Sequence, residues 1–192
     1  MGLGLEDFFK YSTAAIVIGS DAVLLLIVLV IARGLPLRDT FGLRAPRSWR
    51  QALVIGVTTL VAAYAISFLE VALVTGAGRE QGVPEFWDPT RIGAWAANLF
   101  AIAVFVPIFE ESLCRGLGYS LFEPLGPTAA VIITAVAFTL AHGVIVDIPV
   151  ILATGIGLAY MRASTGSIFP CIALHGFFNG FGLVVAAFFG SG

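Results

Sequence analysis

The sequence predicts an all-α protein, a polytopic transmembrane bundle of about six helices. Three observations predict it. Of the 192 residues, 59% are hydrophobic and 11% charged, with a mean hydropathy of +1.01. A soluble domain carries about 25% charged residues, and no soluble core of this size could hide so much apolar surface, so the bilayer has to solvate most of it. Secondly, the apolar residues fall in runs close to the roughly 20 that a helix needs to cross a hydrocarbon core of about 30 Å. Thirdly, the runs do not alternate as the strands of a closed barrel would, and only helices and barrels span lipid. The length leaves room for one membrane domain, residues 1–192, and no separate soluble one. The net charge of −2 gives no reason to expect a nucleic-acid partner.

The six segments run near Tyr11–Ala32, Gln51–Thr75, Ile92–Tyr119, Pro127–Val146, Ile148–Arg162 and Ile168–Phe189, the fifth being the shortest. Before the first, Met1 to Lys10 carries Glu6 and Asp7 and lacks a basic n-region, so this run reads as a retained helix and not a cleaved signal. The first connection holds Arg33, Arg38, Arg44, Arg47 and Arg50 against one acid, Asp39. By the positive-inside rule it is cytoplasmic, a topology-setting loop in preference to a surface-lying one. The second connection, Gly76–Arg91, carries Arg79 and Arg91 against Glu80, Glu85 and Asp88, as expected outside. Both termini are then expected outside, in a multi-pass protein of the cell membrane. Trp49 on one side, with Trp87 and Trp95 on the other, would sit at the two interfaces.

Small residues mark close helix approaches. Ala153 and Gly157 in the fifth segment, and Gly176 and Gly180 in the sixth, are four apart, a spacing that lets backbones meet. The two cysteines, Cys114 and Cys171, sit in apolar segments and read as buried thiols, not as a disulfide. Asp21 and Glu70 are acids inside apolar segments without a local basic partner, and pairing with another helix is the preferred reading of both.

The chemistry centres on Phe109-Glu110-Glu111-Ser112-Leu113-Cys114-Arg115-Gly116, which follows the apolar run Ala94–Ile108. An ionised group in hydrocarbon costs several kcal/mol, so intramembrane acids are functional-site candidates facing a protein interior or a water-filled cavity. Glu111 and Arg115 are four apart on one helix face and can neutralise each other. Glu110, turned about 100° away, is left for something else. The only histidines, His142 and His175, also lie inside apolar segments, and each shares a helix face with a residue four away: Phe138 with His142, His175 with Asn179. Glutamate and histidine can hold and deprotonate a water. A second histidine and an asparagine amide can donate to the oxyanion formed at an attacked carbonyl. One carboxylate and two imidazoles are also a catalytic zinc set, with Glu110, His142 and His175 as ligands. That alternative leaves no obvious free base, since Glu111 is committed to Arg115, and a His-x-x-x-His spacing is absent. Water activation without a metal or other cofactor is therefore preferred, zinc being the alternative.

These residues resemble the motifs of the CAAX protease and bacteriocin-processing (CPBP, or Abi) family of intramembrane proteases. Glu-Glu-x-x-x-Arg is matched by Glu110, Glu111 and Arg115, Phe-x-x-x-His by Phe138 and His142, and His-x-x-x-Asn/Asp by His175 and Asn179. The run Leu158–His175 also resembles the family's approach to the last histidine, and the similarity covers roughly Trp95 to Gly180, a catalytic core over 95–180. Cys114 departs from the phenylalanine often found before the arginine and reads as packing. The resemblance implies a multi-helix membrane endopeptidase acting on a membrane-associated protein or peptide in CAAX-type processing or bacteriocin and peptide maturation. It assigns water activation to Glu110 and His142, the oxyanion site to His175 and Asn179, and a supporting role to Glu111 and Arg115. Two other classes compete. A non-catalytic scaffold or self-immunity protein would be free to lose one of these costly groups. A transporter would use Asp21, Glu70 and Glu110, but inverted repeats and paired broken helices are not apparent. Substrate, cleavage position and oligomeric state are not legible in the sequence.

Overall fold

The computed structural model describes residues 5–75 and 87–189, which are helical without a strand among them. Six helices form the bundle: α1 Tyr11–Ile31, α2 Trp49–Leu73, α3 Pro89–Leu125, α4 Pro127–Ala141, α5 Ile148–Thr165 and α6 Phe169–Phe189. Five are long and apolar enough to cross a membrane, and α4 is not. All six expected segments are present as helices, and the shortest of them is the fourth, not the fifth. The reason is local. Gly143 has φ +65°, a left-handed conformation that ends α4 directly after His142. The segment expected to run to Val146 therefore stops at Ala141, while α5 continues through Thr165 to Gly166, a left-handed glycine cap at φ +70°.

At the other extreme, α3 has 37 residues, about 55 Å of helix. It turns back at Gly126 (φ +102°), and Pro127 opens α4 where a missing N–H costs nothing. Glu110 and His142 lie equally far from Gly126 along the chain, on opposite sides of it. In an antiparallel helix pair with equal rise per residue, they therefore come to one level, about 24 Å from the turn. The great length of α3 and the shortness of α4 together set the depth of the site.

The first connection is more than a charged loop. Phe41 is buried against Leu117 and Val28, Gly42 O accepts the N–H of Ile168, and Thr40 O and Arg44 O accept the hydroxyls of Ser120 and Ser167. It forms a floor under α3 and the start of α6. Arg44 pairs with Asp39 at 2.7 Å. Of the residues read as the second connection, Arg79, Glu80 and Glu85 lie outside the described residues. Trp95, expected near an interface, turns its ring into the protein. It is buried against Phe8, Phe9, Leu183 and Ala187, with Trp87 edge-on at 5.1 Å.

Small residues do bring helices together. A Cβ on Gly157 would collide with Thr59 of α2, and one on Gly176 with the Ala103 carbonyl of α3. Glu70 is buried at the start of α5, where it accepts the N–H of Val150, a favourable place for a carboxylate. Among the described residues Cys114 and Cys171 are free thiols. Cys171 is fully buried, and Cys114 packs against the cluster around Phe138 and Ile151.

Candidate active site

Within α3 the turn Val106–Glu111 lies between two π-helical stretches, Ala101–Phe105 and Ser112–Gly118. Such wide turns recur at functional sites. Pro107 stands at the first junction and has no N–H to give. The N–H of Val106 reaches back to Ala101 O, so the Ile102 carbonyl receives neither of its ordinary intrahelical donors. It accepts instead from the Asn179 amide of α6 at 3.3 Å. Gly176, one turn earlier on α6, lets the Ala103 carbonyl come close where any side chain would collide. Asn179 and His175 are thereby set against α3 by backbone contacts.

Glu111 and Arg115 are both fully buried, and Arg115 Nη1 donates to Glu111 Oε1 at 3.1 Å. The same oxygen accepts from His175 Nδ1 at 2.8 Å. The pairing expected from the sequence is present, and its second half, the histidine of α6, was not foreseen. Arg115 is further held by Gly155 O at 2.9 Å and by the Phe138 ring, 4.3 Å from its Cζ. The Phe138 ring also lies edge-on to His142 at 4.6 Å and His175 at 5.6 Å. One aromatic thus spaces the arginine and both imidazoles.

The tautomers follow from the acceptors. His142 Nδ1 is 2.7 Å from Phe138 O, and a carbonyl only accepts, so Nδ1 carries the proton and Nε2 is left with a lone pair. His175 Nδ1 faces a carboxylate already bound to arginine and likewise donates. Its Nε2 lies 3.7 Å from Glu110 Oε2. Glu110 differs from its neighbour: its side chain is 27% exposed, and Oε2 has no hydrogen-bond partner among the described residues. Its close titratable neighbour is therefore His175. Asp21 of α1 lies within electrostatic reach of Glu110, and its Oδ2 also lacks a hydrogen-bond partner. Among the described residues the helix-to-helix pairing expected for Asp21 is not seen.

Glu110, His142, His175 and Asn179 line one cavity of about 270 Å³, walled by Ile102 and Val106 of α3, Phe178, Gly182 and Leu183 of α6, and Phe8. Glu111, Arg115 and Phe138 stand behind it. The cavity joins residues far apart in sequence, including Phe8, for which no motif or periodicity gave a signal. A larger groove of about 700 Å³ between α2 and α5 holds no acid or histidine and offers no such chemistry.

As a zinc site the set fits poorly. Among the described residues no three His, Cys, Asp or Glu side chains stand where they could hold one ion. Glu111 Oε1, the carboxylate oxygen closest to His175, is taken up by Arg115 and His175 Nδ1.

Residues 92–181 match the family model described as type II CAAX prenyl endopeptidase, Rce1-like. The match bears out the resemblance carried by the three motifs and takes in all seven residues that compose them. No curated protein and no solved structure matches the chain.

Proposed function

We propose that this chain, whose residues 92–181 match a CAAX-type intramembrane protease family, is an endopeptidase that hydrolyses a peptide bond of a membrane-associated protein or peptide. The observation that carries the reading is the meeting of Glu110, His142, His175 and Asn179 in one cavity, with a carboxylate and an imidazole Nε2 both unclaimed. Glu110 takes one proton of a water whose other hydrogen is held by the lone pair of His142 Nε2, and the hydroxide attacks the scissile carbonyl. His175 Nε2–H and the Asn179 N–H not given to Ile102 donate to the developing oxyanion. Glu111 holds His175 by Nδ1, so an imidazole protonated on both nitrogens can donate towards the cavity while staying anchored. The proton held at Glu110 then passes to the leaving amine. Little water competes in such a cavity, so each donor acts with weak screening.

On this reading no metal takes part. The arginine-rich connection lies in the cytoplasm and both termini lie outside. Substrates of the CAAX-processing type and of peptide maturation are both compatible with this reading. The test uses membranes from cells expressing wild type, Glu110→Gln or His142→Ala at equal levels, with new protein and peptide termini mapped by mass spectrometry. Termini produced by the wild type should vanish in both variants, a loss of at least about 10²- to 10⁴-fold for removing a general base. Cleavage retained in either variant would sink the mechanism. Identical maps from all three, with shared co-purifying partners, would favour the scaffold.

A further inference from the structure

The segment ahead of α1 takes no part in the reading above, and it lies outside the stretch that matches the family. Leu5–Phe9 forms a short 3-10 turn. Phe8 and Phe9 are 4% and 3% exposed and pack with Trp95, Leu183 and Ala187. A side chain of α3 reaches the backbone of this turn. Asn98 of α3 is 1% exposed, and its amide reaches Phe8 O and Lys10 O, both at 3.0 Å. An amide inside an apolar helix is costly unless bonded, and here its bonds secure the N-terminal turn. The two phenylalanines differ in place. Phe9 lies under the Arg91 guanidinium at 4.9 Å, whereas Phe8 is part of the wall of the cavity that holds Glu110 and His175. Beyond Phe8, Glu6 and Lys10 are exposed charged groups, which place water on that side. The Phe8 ring therefore stands between the reacting groups and the aqueous end of the bundle remote from the arginine-rich connection.

We propose that Phe8 is a size-limiting residue of the catalytic cavity: the N-terminal turn is its end wall, and the bulk of the Phe8 ring sets how large a group fits beside Glu110 and His175. The inference rests on reading the cavity as catalytic, but its test does not need turnover. Gly182 lines the same cavity, and a Cβ added there meets nothing within 4 Å, so Gly182→Cys places a thiol in it without strain. The chain with this cysteine is labelled in detergent micelles with methyl methanethiosulfonate and with a bulky biotinylated methanethiosulfonate. The parent without it gives the background from Cys114 and Cys171. With Phe8 present the small reagent should react and the bulky one lag. Removing a packed ring leaves a gap that a larger group can use, so Phe8→Ala should speed the bulky reagent about tenfold and change the small one little. Phe9→Ala, in the same cluster but not in the wall, should change neither. No change with Phe8→Ala, or an equal gain with Phe9→Ala, overturns the proposal. Should Phe8→Ala fail to fold, Phe8→Leu removes less bulk and is read the same way with a smaller gain. Size-dependent labelling without any proteolysis would count against the protease reading alone. Proteolysis with labelling indifferent to Phe8 would count against the wall alone.

Discussion

On the proposed mechanism, the double replacement of Glu111 and Arg115 separates a structural carboxylate, Glu111, from the base, Glu110. Both side chains are fully buried and joined at 3.1 Å. Removing one partner of a buried pair leaves an uncompensated charge and costs about 3–5 kcal/mol. Glu111→Gln keeps the shape and an acceptor oxygen, and Arg115 retains Gly155 O and the Phe138 ring, so the loss should sit at the lower end, about 3 kcal/mol. For a chain of this length that lowers the melting temperature by about 6–12 °C, at about 2–4 °C per kcal/mol. Arg115→Met should cost as much or more, because Glu111 is then left buried with only His175 beside it. The double variant carries neither charge and should be more stable than the two single losses add up to, with a coupling of about 2 kcal/mol. Thermal unfolding in one detergent, followed by the fluorescence of the three tryptophans, gives all four corners. Activity should behave differently. His175 Nδ1 loses its carboxylate partner in the double variant, so stability returns in part and catalysis does not. Additive losses of stability, or recovery of activity in the double variant, would refute the division of labour between Glu110 and Glu111.

Two further outcomes follow from the same geometry. Gly176→Ala forces a methyl into the Ala103 carbonyl and should cost about 1–3 kcal/mol by overpacking, with loss of activity as Asn179 is levered off Ile102. Gly182→Ala on the same helix meets open space and should leave the melting temperature unchanged, and equal effects at the two glycines would show that the α3–α6 contact is not what positions Asn179. Once a substrate is in hand, cleavage should persist after treatment with EDTA and with 1,10-phenanthroline. Activity lost to the chelator and restored by zinc would reverse the metal-free assignment.

The bundle and its site were legible in the sequence to different depths, for physical reasons. Apolar length gave the helices, because lipid leaves a backbone no other way to satisfy its polar groups. Glu111 and Arg115 could be paired because i,i+4 neighbours meet on any helix. Whether Glu110 and His142 meet depends on where α3 turns and where α4 stops. Both are set by glycines at positive φ, Gly126 and Gly143, and glycine is too common in membrane helices to mark either in advance. The share of Glu111 taken by His175 could not be read, since it crosses from α3 to α6. Phe8 was invisible for the same reason, as it reaches the cavity by way of a bond from Asn98, far away in the chain.

The wide turns of α3 explain how so precise a set survives between helices that have little hydrophobic force to drive them together in lipid. A π-helical stretch loosens the ordinary ladder and leaves carbonyls open to other donors. Each of the two stretches gives one away. Ile102 O, in the first, accepts the Asn179 amide of α6. Arg115 O, in the second, accepts Nε of Arg162 on α5 at 2.9 Å. Arg162 in turn reaches Asp39 O in the floor at 3.4 Å, and Gly42 leaves room for its guanidinium. The neighbours are therefore fixed to the backbone of α3 on either side of Glu110, by bonds that water at a surface would weaken but that lipid does not contest. Glu110 then needs no partner of its own to be held in place. That leaves its carboxylate open to the cavity, the condition for a base.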